Sequence, residues 1–139
     1  MAGCQTNRGA AYSLGCRLVW CPKYRRPVLV HPVAERLREL IEQEAGERGW
    51  SIVAVEVMPD YVHLFVRADP IASPSYIANQ IKGFTSKVLR GEFPHLRRRL
   101  PTLWSRSFFV ASVGSVSAAT VQEYIETQWE RPWRKGAVS

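Results

Sequence analysis

The stretch Ile52-Val53-Ala54-Val55-Glu56-Val57-Met58-Pro59-Asp60-Tyr61-Val62-His63-Leu64-Phe65-Val66 reads as two strands joined at a tight turn. Its first half is rich in β-branched residues, which fit a pleated surface, and its second half alternates. Pro59-Asp60 supplies the turn, because proline presets φ and aspartate bonds back to its own backbone. A period of two puts Tyr61, His63 and Phe65 on one face of the second strand and Val62, Leu64 and Val66 on the other. The aliphatic face belongs in a core. The other face differs in chemistry, with a phenol, an imidazole and a ring.

Upstream of this hairpin, Leu14 to Trp20 reads as a strand with Arg17 inside it, ended or bent by Cys21 and Pro22. Lys23, Tyr24, Arg25 and Arg26 set three cations around one ring, and Val28, Leu29 and Val30 read as strand resuming past a basic bulge. Pro32 occupies a first helical position. Val33, Leu37, Leu40, Ile41 and Ala45 recur at helical spacing until Gly46 and Gly49 close the element. Downstream, Ser73 and Pro74 read as cap and first turn of a second helix, with a stripe of Ile77, Ile81, Phe84 and Val88 that stops near Gly91. Phe93 to Pro101 then concentrates Arg97, Arg98 and Arg99 between two prolines, more charge than a solvated turn requires. Phe108, Phe109 and Val110 support a last strand. Ser117 can cap a terminal helix through Val121, Tyr124, Ile125 and Gln128. The order strand, helix, strand, strand, helix, strand, helix predicts an α+β fold: an antiparallel sheet with helices on one face, a sandwich of ferredoxin-like or RNA-recognition type, plus a C-terminal helix carrying a tyrosine. The expected organisation is one domain over 1–139, with a loose N-terminal arm at 1–11 and the terminal helix at 117–130.

The 139 residues carry 19 Lys plus Arg against 12 Asp plus Glu, a formal charge of +7. Fifteen of the cations are arginine and four are lysine, and a planar guanidinium grips phosphate bidentately and stacks on bases where an ammonium cannot. This composition suits a polyanionic partner, although excess arginine can equally serve only to keep a protein soluble. Hydrophobic residues make up 46%, which is enough for a packed core and excludes wholesale disorder. The longest nearly uncharged apolar run, Ile52 to Val55 with Val57 and Met58, falls far short of the roughly 18–20 residues of a membrane span, so no membrane association is expected. The first residues lack a secretory core, and the expected location is the cytoplasm. Cys4, Cys16 and Cys21 form no C-x-x-C pair and read as free thiols rather than a zinc site.

Four segments in order carry a resemblance: Leu18-Val19-Trp20-Cys21-Pro22-Lys23-Tyr24-Arg25-Arg26-Pro27-Val28-Leu29, Met58 to Val66, Ile81-Lys82-Gly83-Phe84-Thr85-Ser86, and Leu103-Trp104-Ser105-Arg106-Ser107-Phe108-Phe109-Val110. Together with Tyr124 on the terminal helix, they resemble the TnpA-type single-tyrosine HUH transposases of small insertion sequences, the IS200-like family, from about residue 12 to about residue 130. The resemblance implies a site in which a His-hydrophobic-His motif and a helix glutamine hold a divalent metal over a single-stranded DNA phosphate that the tyrosine attacks. Position by position, Tyr124 matches the nucleophile, His63 the second motif histidine and Gln128 the helix ligand. It further implies Mg²⁺ or Mn²⁺ as cofactor, a single-stranded DNA hairpin at insertion-sequence ends as partner, and a homodimer whose terminal helices cross over. Ser112 to Ser117 would suit the hinge. Metal chemistry makes sense here, since a phenol of pKa near 10 is a poor nucleophile at neutral pH.

The chain departs from the family pattern where Tyr61 replaces the first motif histidine. A neutral phenol is a weak ligand for a hard divalent ion, so metal affinity and cleavage should fall unless another ligand substitutes. Asp60 and Glu56 are the nearby carboxylates, Asp60 pointing to the opposite face of a regular strand. A second departure is Cys16-Arg17, where an aromatic residue and a histidine are expected. DNA contacts are expected from Lys23, Arg25, Arg26, Lys82, Lys87, Arg97, Arg98 and Arg99, with Tyr24, Trp104 and Phe108 available for stacking and Trp20 and Phe84 in the core. The alternatives are a catalytically inactive nucleic-acid-binding regulator or decayed transposase copy, and a free-standing RNA-binding protein.

Overall fold

The computed structural model describes residues 15–111. The expected arm at 1–11, the Ser112 to Ser117 stretch and the terminal helix with Tyr124 and Gln128 lie outside the described residues. Strand β1 (Cys16–Trp20) leads through a short 3-10 turn at Lys23–Arg25 into helix α1 (Val33–Arg48). The hairpin follows as β2 (Ser51–Met58) and β3 (Tyr61–Arg67), then α2 (Pro74–Glu92), a six-residue helix α3 (Pro94–Arg99) and β4 (Phe109–Ala111). The strands lie in the order β2-β3-β1-β4 and every pairing is antiparallel. The predicted α+β sandwich is therefore the fold, with helices packed on one face of the sheet.

Local chemistry accounts for the boundaries. Ser73 Oγ accepts from the Tyr76 N–H and Pro74 opens the first turn of α2. Gly49 ends α1 at φ 77, a left-handed conformation in which glycine meets no Cβ penalty, and its N–H closes on Ala45 O and Gly46 O. Met58 pairs with Tyr61 across the two-residue turn at Pro59-Asp60, as the sequence predicts. Val28 to Val30 joins no strand; Leu29 N–H instead donates to Pro59 O, which staples this segment to the hairpin turn. The Phe93 to Pro101 stretch, read from the sequence as a basic cluster between two prolines, contains α3, which Pro94 opens and whose Leu96 is buried in the core.

The core lies between sheet and helices. Leu18, Trp20, Val62, Leu64 and Val66 meet Leu37, Leu40 and Ile41 of α1 and Ile77, Ile81 and Leu89 of α2, all essentially inaccessible. Full burial of each such side chain contributes about 1.5–3 kcal/mol. Trp20 and Trp104 pack edge to face, 5.8 Å between centroids, and Trp104 Nε1–H donates to Thr85 Oγ1 at 3.1 Å. Arg36 grips Glu92 through two hydrogen bonds, and Arg48 reaches Tyr76 Oη and Gln80 Oε1, so α1 and α2 are joined near both ends. No helix among the described residues is long and apolar enough to cross a membrane. Cys21 is a free, buried thiol, whereas Cys16 is disulfide-bonded, which corrects the expectation of three free thiols.

Candidate catalytic face and nucleic-acid interface

The helices cover one face of the sheet, and the candidate site is built on the other. Strand parity decides its membership. Tyr61, His63 and Phe65 of β3 are half-buried and alternate with the buried Val62, Leu64 and Val66. On β1 the residues of that same open face are Arg17 and Val19, which register against Phe65 and His63. β4 adds Phe109 opposite Val19.

On β2 a bulge is decisive. Ile52 pairs with Val66 but Ala54 pairs with Phe65, so Val53 is the extra residue. The bulge lets Ile52 pack with the core while Ala54 and Glu56, two and four residues on, turn to the open face. Glu56 consequently stands directly opposite His63. Arg17, Ala54, Val55, Glu56, His63 and Phe65 line a shallow pocket of about 510 Å³.

His63 Nδ1 lies 3.9 Å from Glu56 Oε1. Burial holds the imidazole pKa below its ordinary value; Glu56 opposes that shift and Arg17 adds to it. The ring is therefore neutral at pH 7 and offers a lone pair. Tyr61 packs against Val19 and Cys21, and Phe109 covers the same cluster. Burial raises the Tyr61 pKa, and the Glu56 and Asp60 carboxylates raise it further, so the phenol keeps its proton. Cys21 beneath it is pushed up to about 12 by burial and is inert as a thiolate. Asp60 is engaged by Arg25, whose Nε donates to Oδ2 at 2.7 Å.

Arg17 is the unusual member. Its guanidinium lies 4.7 Å from the Phe65 ring centre, and its Nε is buried without a hydrogen-bond partner among the described residues. Phe65 can take this place because Gly15 precedes the strand at φ 75: a Cβ there would stand 2.5 Å from Phe65 Cε1.

The described residues do not by themselves complete a site for Mg²⁺ or Mn²⁺. No cluster of three His, Cys, Asp or Glu able to hold a metal exists among the described residues. His63 and Glu56 offer two donors, Tyr61 offers a phenol that retains its proton, and the Arg17 cation shares the pocket. A dication placed there would meet a fixed positive charge and too few anionic oxygens.

The expected DNA-contacting cations fall into separate groups. The Lys23–Arg25 turn and Arg26 follow β1; Lys23 N–H donates to Leu103 O and Pro22 bridges to Trp104, so this segment abuts the chain that follows α3. Tyr24 and Arg25 adopt φ 60 and φ 52, costly for residues with a Cβ, and the Arg25–Asp60 pair ties the strained turn to the hairpin. Arg98 and Arg99 are exposed on α3, Arg97 is exposed with Nη1 on Arg90 O, and Lys87 is exposed on α2. Lys82 is placed otherwise. It is buried, and its ammonium donates to Ser105 O at 2.9 Å, Ser107 O at 3.1 Å and Arg106 O at 3.4 Å, so its protons serve the chain that leads into β4. Burial pushes its pKa down to about 8. Trp104, offered by the sequence as a stacking surface, is a core residue with Trp20. The wall of Val19, Cys21 and Phe109 around Tyr61 was legible only as strand parity, and Arg17 had no evident role until its alternation with Val19 was set against β3.

Residues 10–128 match the family model described as "Transposase IS200 like". The chain is similar to the ISDra2 transposase TnpA of Deinococcus radiodurans, 34% identical over 127 residues that cover 90% of this chain and 91% of the relative. It is also similar to the transposase for insertion sequence element IS200 of Salmonella typhimurium, 27% identical over 115 residues, 81% of this chain and 75% of the relative. A crystal structure from Deinococcus radiodurans R1, solved as a candidate transposase, superposes with a TM-score of 0.74 at 38% identity, covering 83% of this chain and 90% of that one. A REP-associated tyrosine transposase bound to a REP hairpin superposes with a TM-score of 0.54 at 16% identity, covering 98% of this chain and 70% of that one, a likeness of fold alone.

Proposed function

Because this chain belongs to the IS200-like transposase family, we propose that it binds hairpin-containing single-stranded DNA across the open face of its sheet, and that its strand cleavage and rejoining are impaired. The observation that carries this reading is the face itself: His63 remains, while Tyr61 is a half-buried phenol that keeps its proton where a metal ligand is expected. In the cleavage chemistry that the resemblance assigns, the Tyr124 oxygen bonds to a DNA phosphorus, giving a 5′-phosphotyrosine, and the displaced 3′-oxygen leaves as a 3′-hydroxyl after taking up a proton. Rejoining reverses these exchanges. A divalent metal held by His63, Gln128 and a third ligand would polarise the phosphoryl oxygen, and the described residues supply that third ligand poorly. The protein acts in the cytoplasm as one unit over the whole chain, as a homodimer, on hairpins at insertion-sequence ends. Lys23, Arg25, Arg26, Lys87 and Arg97 to Arg99 flank the DNA path.

A second reading follows from the same observation: a catalytically inactive DNA-binding regulator or decayed copy. The two separate in one experiment. The protein is mixed with a pool of labelled single-stranded DNA hairpins and Mn²⁺ and assayed for a denaturation-resistant adduct, alongside Tyr61→His and Tyr61→His with Tyr124→Phe. An adduct from Tyr61→His that is lost with Tyr124→Phe identifies a transposase scaffold disarmed at one ligand. An adduct from the natural chain at comparable yield overturns the impairment, and none from any variant, with binding retained, favours the regulator.

A further inference from the structure

The open face carries a cation beside the candidate metal ligand His63, and among the described residues that cation has no hydrogen-bond or ion-pair partner for its Nε. Arg17 forms no ion pair with any described carboxylate, and its Nε is buried with no acceptor. A guanidinium donor shielded from water needs an acceptor supplied by something else. Its orientation is fixed from two sides. Its guanidinium carbon lies over the Phe65 ring, 4.7 Å from the ring centre, and Phe65 is held against the backbone at Gly15, where a Cβ would collide with the ring. A guanidinium keeps its N–H donors in one plane, an arrangement that suits two oxygens of one phosphate.

The surroundings select the ligand. Among the described residues, the pocket of about 510 Å³ has Arg17 and His63 as its nitrogen-bearing side chains and Glu56 as its carboxylate. Glu56 lies toward His63 and is mostly exposed, so it can turn to solvent when an anion enters. Phe65 and Ala54 leave an apolar wall for a sugar or base edge.

We propose that Arg17 is a phosphate anchor: its guanidinium grips one phosphodiester of a single DNA strand crossing the sheet, and does so without a metal ion. This rests on the reading that single-stranded DNA lies on the open face. Arg17 here is a binding and positioning residue. It supplies permanently the positive charge that a dication would otherwise bring to that phosphate, at a place where the described residues form no cluster of three His, Cys, Asp or Glu to hold one.

The test is binding, measured by fluorescence anisotropy in EDTA with a labelled pool of hairpins bearing single-stranded flanks. The tightest member is then remade with each flanking phosphate replaced in turn by an uncharged methylphosphonate. The natural chain should bind in EDTA and lose about tenfold at one methylphosphonate position. Arg17→Gln should bind the unmodified DNA about tenfold more weakly, be insensitive at that position, and show a salt slope shallower by roughly 0.7, the value for one single-strand phosphate contact. Arg17→Lys should keep the slope. Equal affinity and slope for Arg17→Gln overturn the proposal, as does binding by the natural chain that requires Mn²⁺. Thermal melts identify any variant that does not fold; the scan on the natural chain then decides, and a scan with no sensitive position overturns the anchor. A natural chain that binds no hairpin overturns the DNA reading itself, a result distinct from the others.

Discussion

Glu56 Oε1 lies 3.9 Å from His63 Nδ1, the two residues directly opposed on neighbouring strands of the open face. The carboxylate is exposed and the imidazole half-buried, so the pair is coupled through the field more than through a hydrogen bond. Glu56 raises the His63 pKa against the larger downward effect of burial. Glu56→Gln should therefore lower the His63 pKa further, read by NMR titration of its ring protons. An unchanged value would remove the coupling.

His63 also makes stability depend on pH. Its folded pKa lies below the unfolded value of about 6.5, so between the two values the unfolded chain binds more protons. Its contribution is full above the unfolded pKa and is lost as pH falls through the folded one. Urea unfolding at pH 5 and pH 7.5 should show a gain for the natural chain that His63→Gln lacks. Equal gains in both proteins would contradict it.

Lys82 holds three consecutive carbonyls from a buried position, and Lys82→Met fills the same space without donors. The carbonyls of Ser105, Arg106 and Ser107 lose that partner, with an expected cost of about 1–3 kcal/mol in denaturant unfolding. Because the ammonium faces the chain, the salt dependence of DNA binding by the folded variant should not change.

Arg97, Arg98 and Arg99 should behave in the opposite way. They are exposed at the end of α3, and surface changes of this kind leave stability within about 0.5 kcal/mol. Replacing all three with glutamine should leave the melting temperature in place and make the salt slope of DNA binding shallower by about 1.4–2.1, corresponding to two or three lost phosphate contacts. An unaltered slope would take α3 off the DNA path.

Trp104 offers a control for the core. Trp104→Phe removes the indole donor to Thr85 Oγ1 and part of the edge-to-face contact with Trp20, and should cost about 1–2 kcal/mol in unfolding. DNA affinity of the folded variant should match the natural chain. A selective loss of affinity would return this residue to the list of stacking surfaces.

Short-range chemistry made much of this architecture readable from the order of residues. Ser73-Pro74 and Gly49 carry their own start and stop instructions, Pro59-Asp60 carries its turn, and alternation from Tyr61 to Val66 separates a core face from a chemical one, because these features depend on neighbours within four residues. The Tyr61-Val62-His63 triplet and the basic character of the chain are likewise readable in the string. Contacts between distant residues were not. Lys82 looked like one more surface cation until the Ser105 to Ser107 carbonyls closed around it, and Trp104 looked available until Trp20 and Thr85 enclosed it. Glu56 faces His63 only because a one-residue bulge at Val53 shifts the β2–β3 register, and a shift of one residue exchanges the two faces of a strand. Arg17 acquired meaning the same way, once the β1–β3 register laid it on Phe65, since what a charged side chain can do is set by the partners that folding brings to it or withholds.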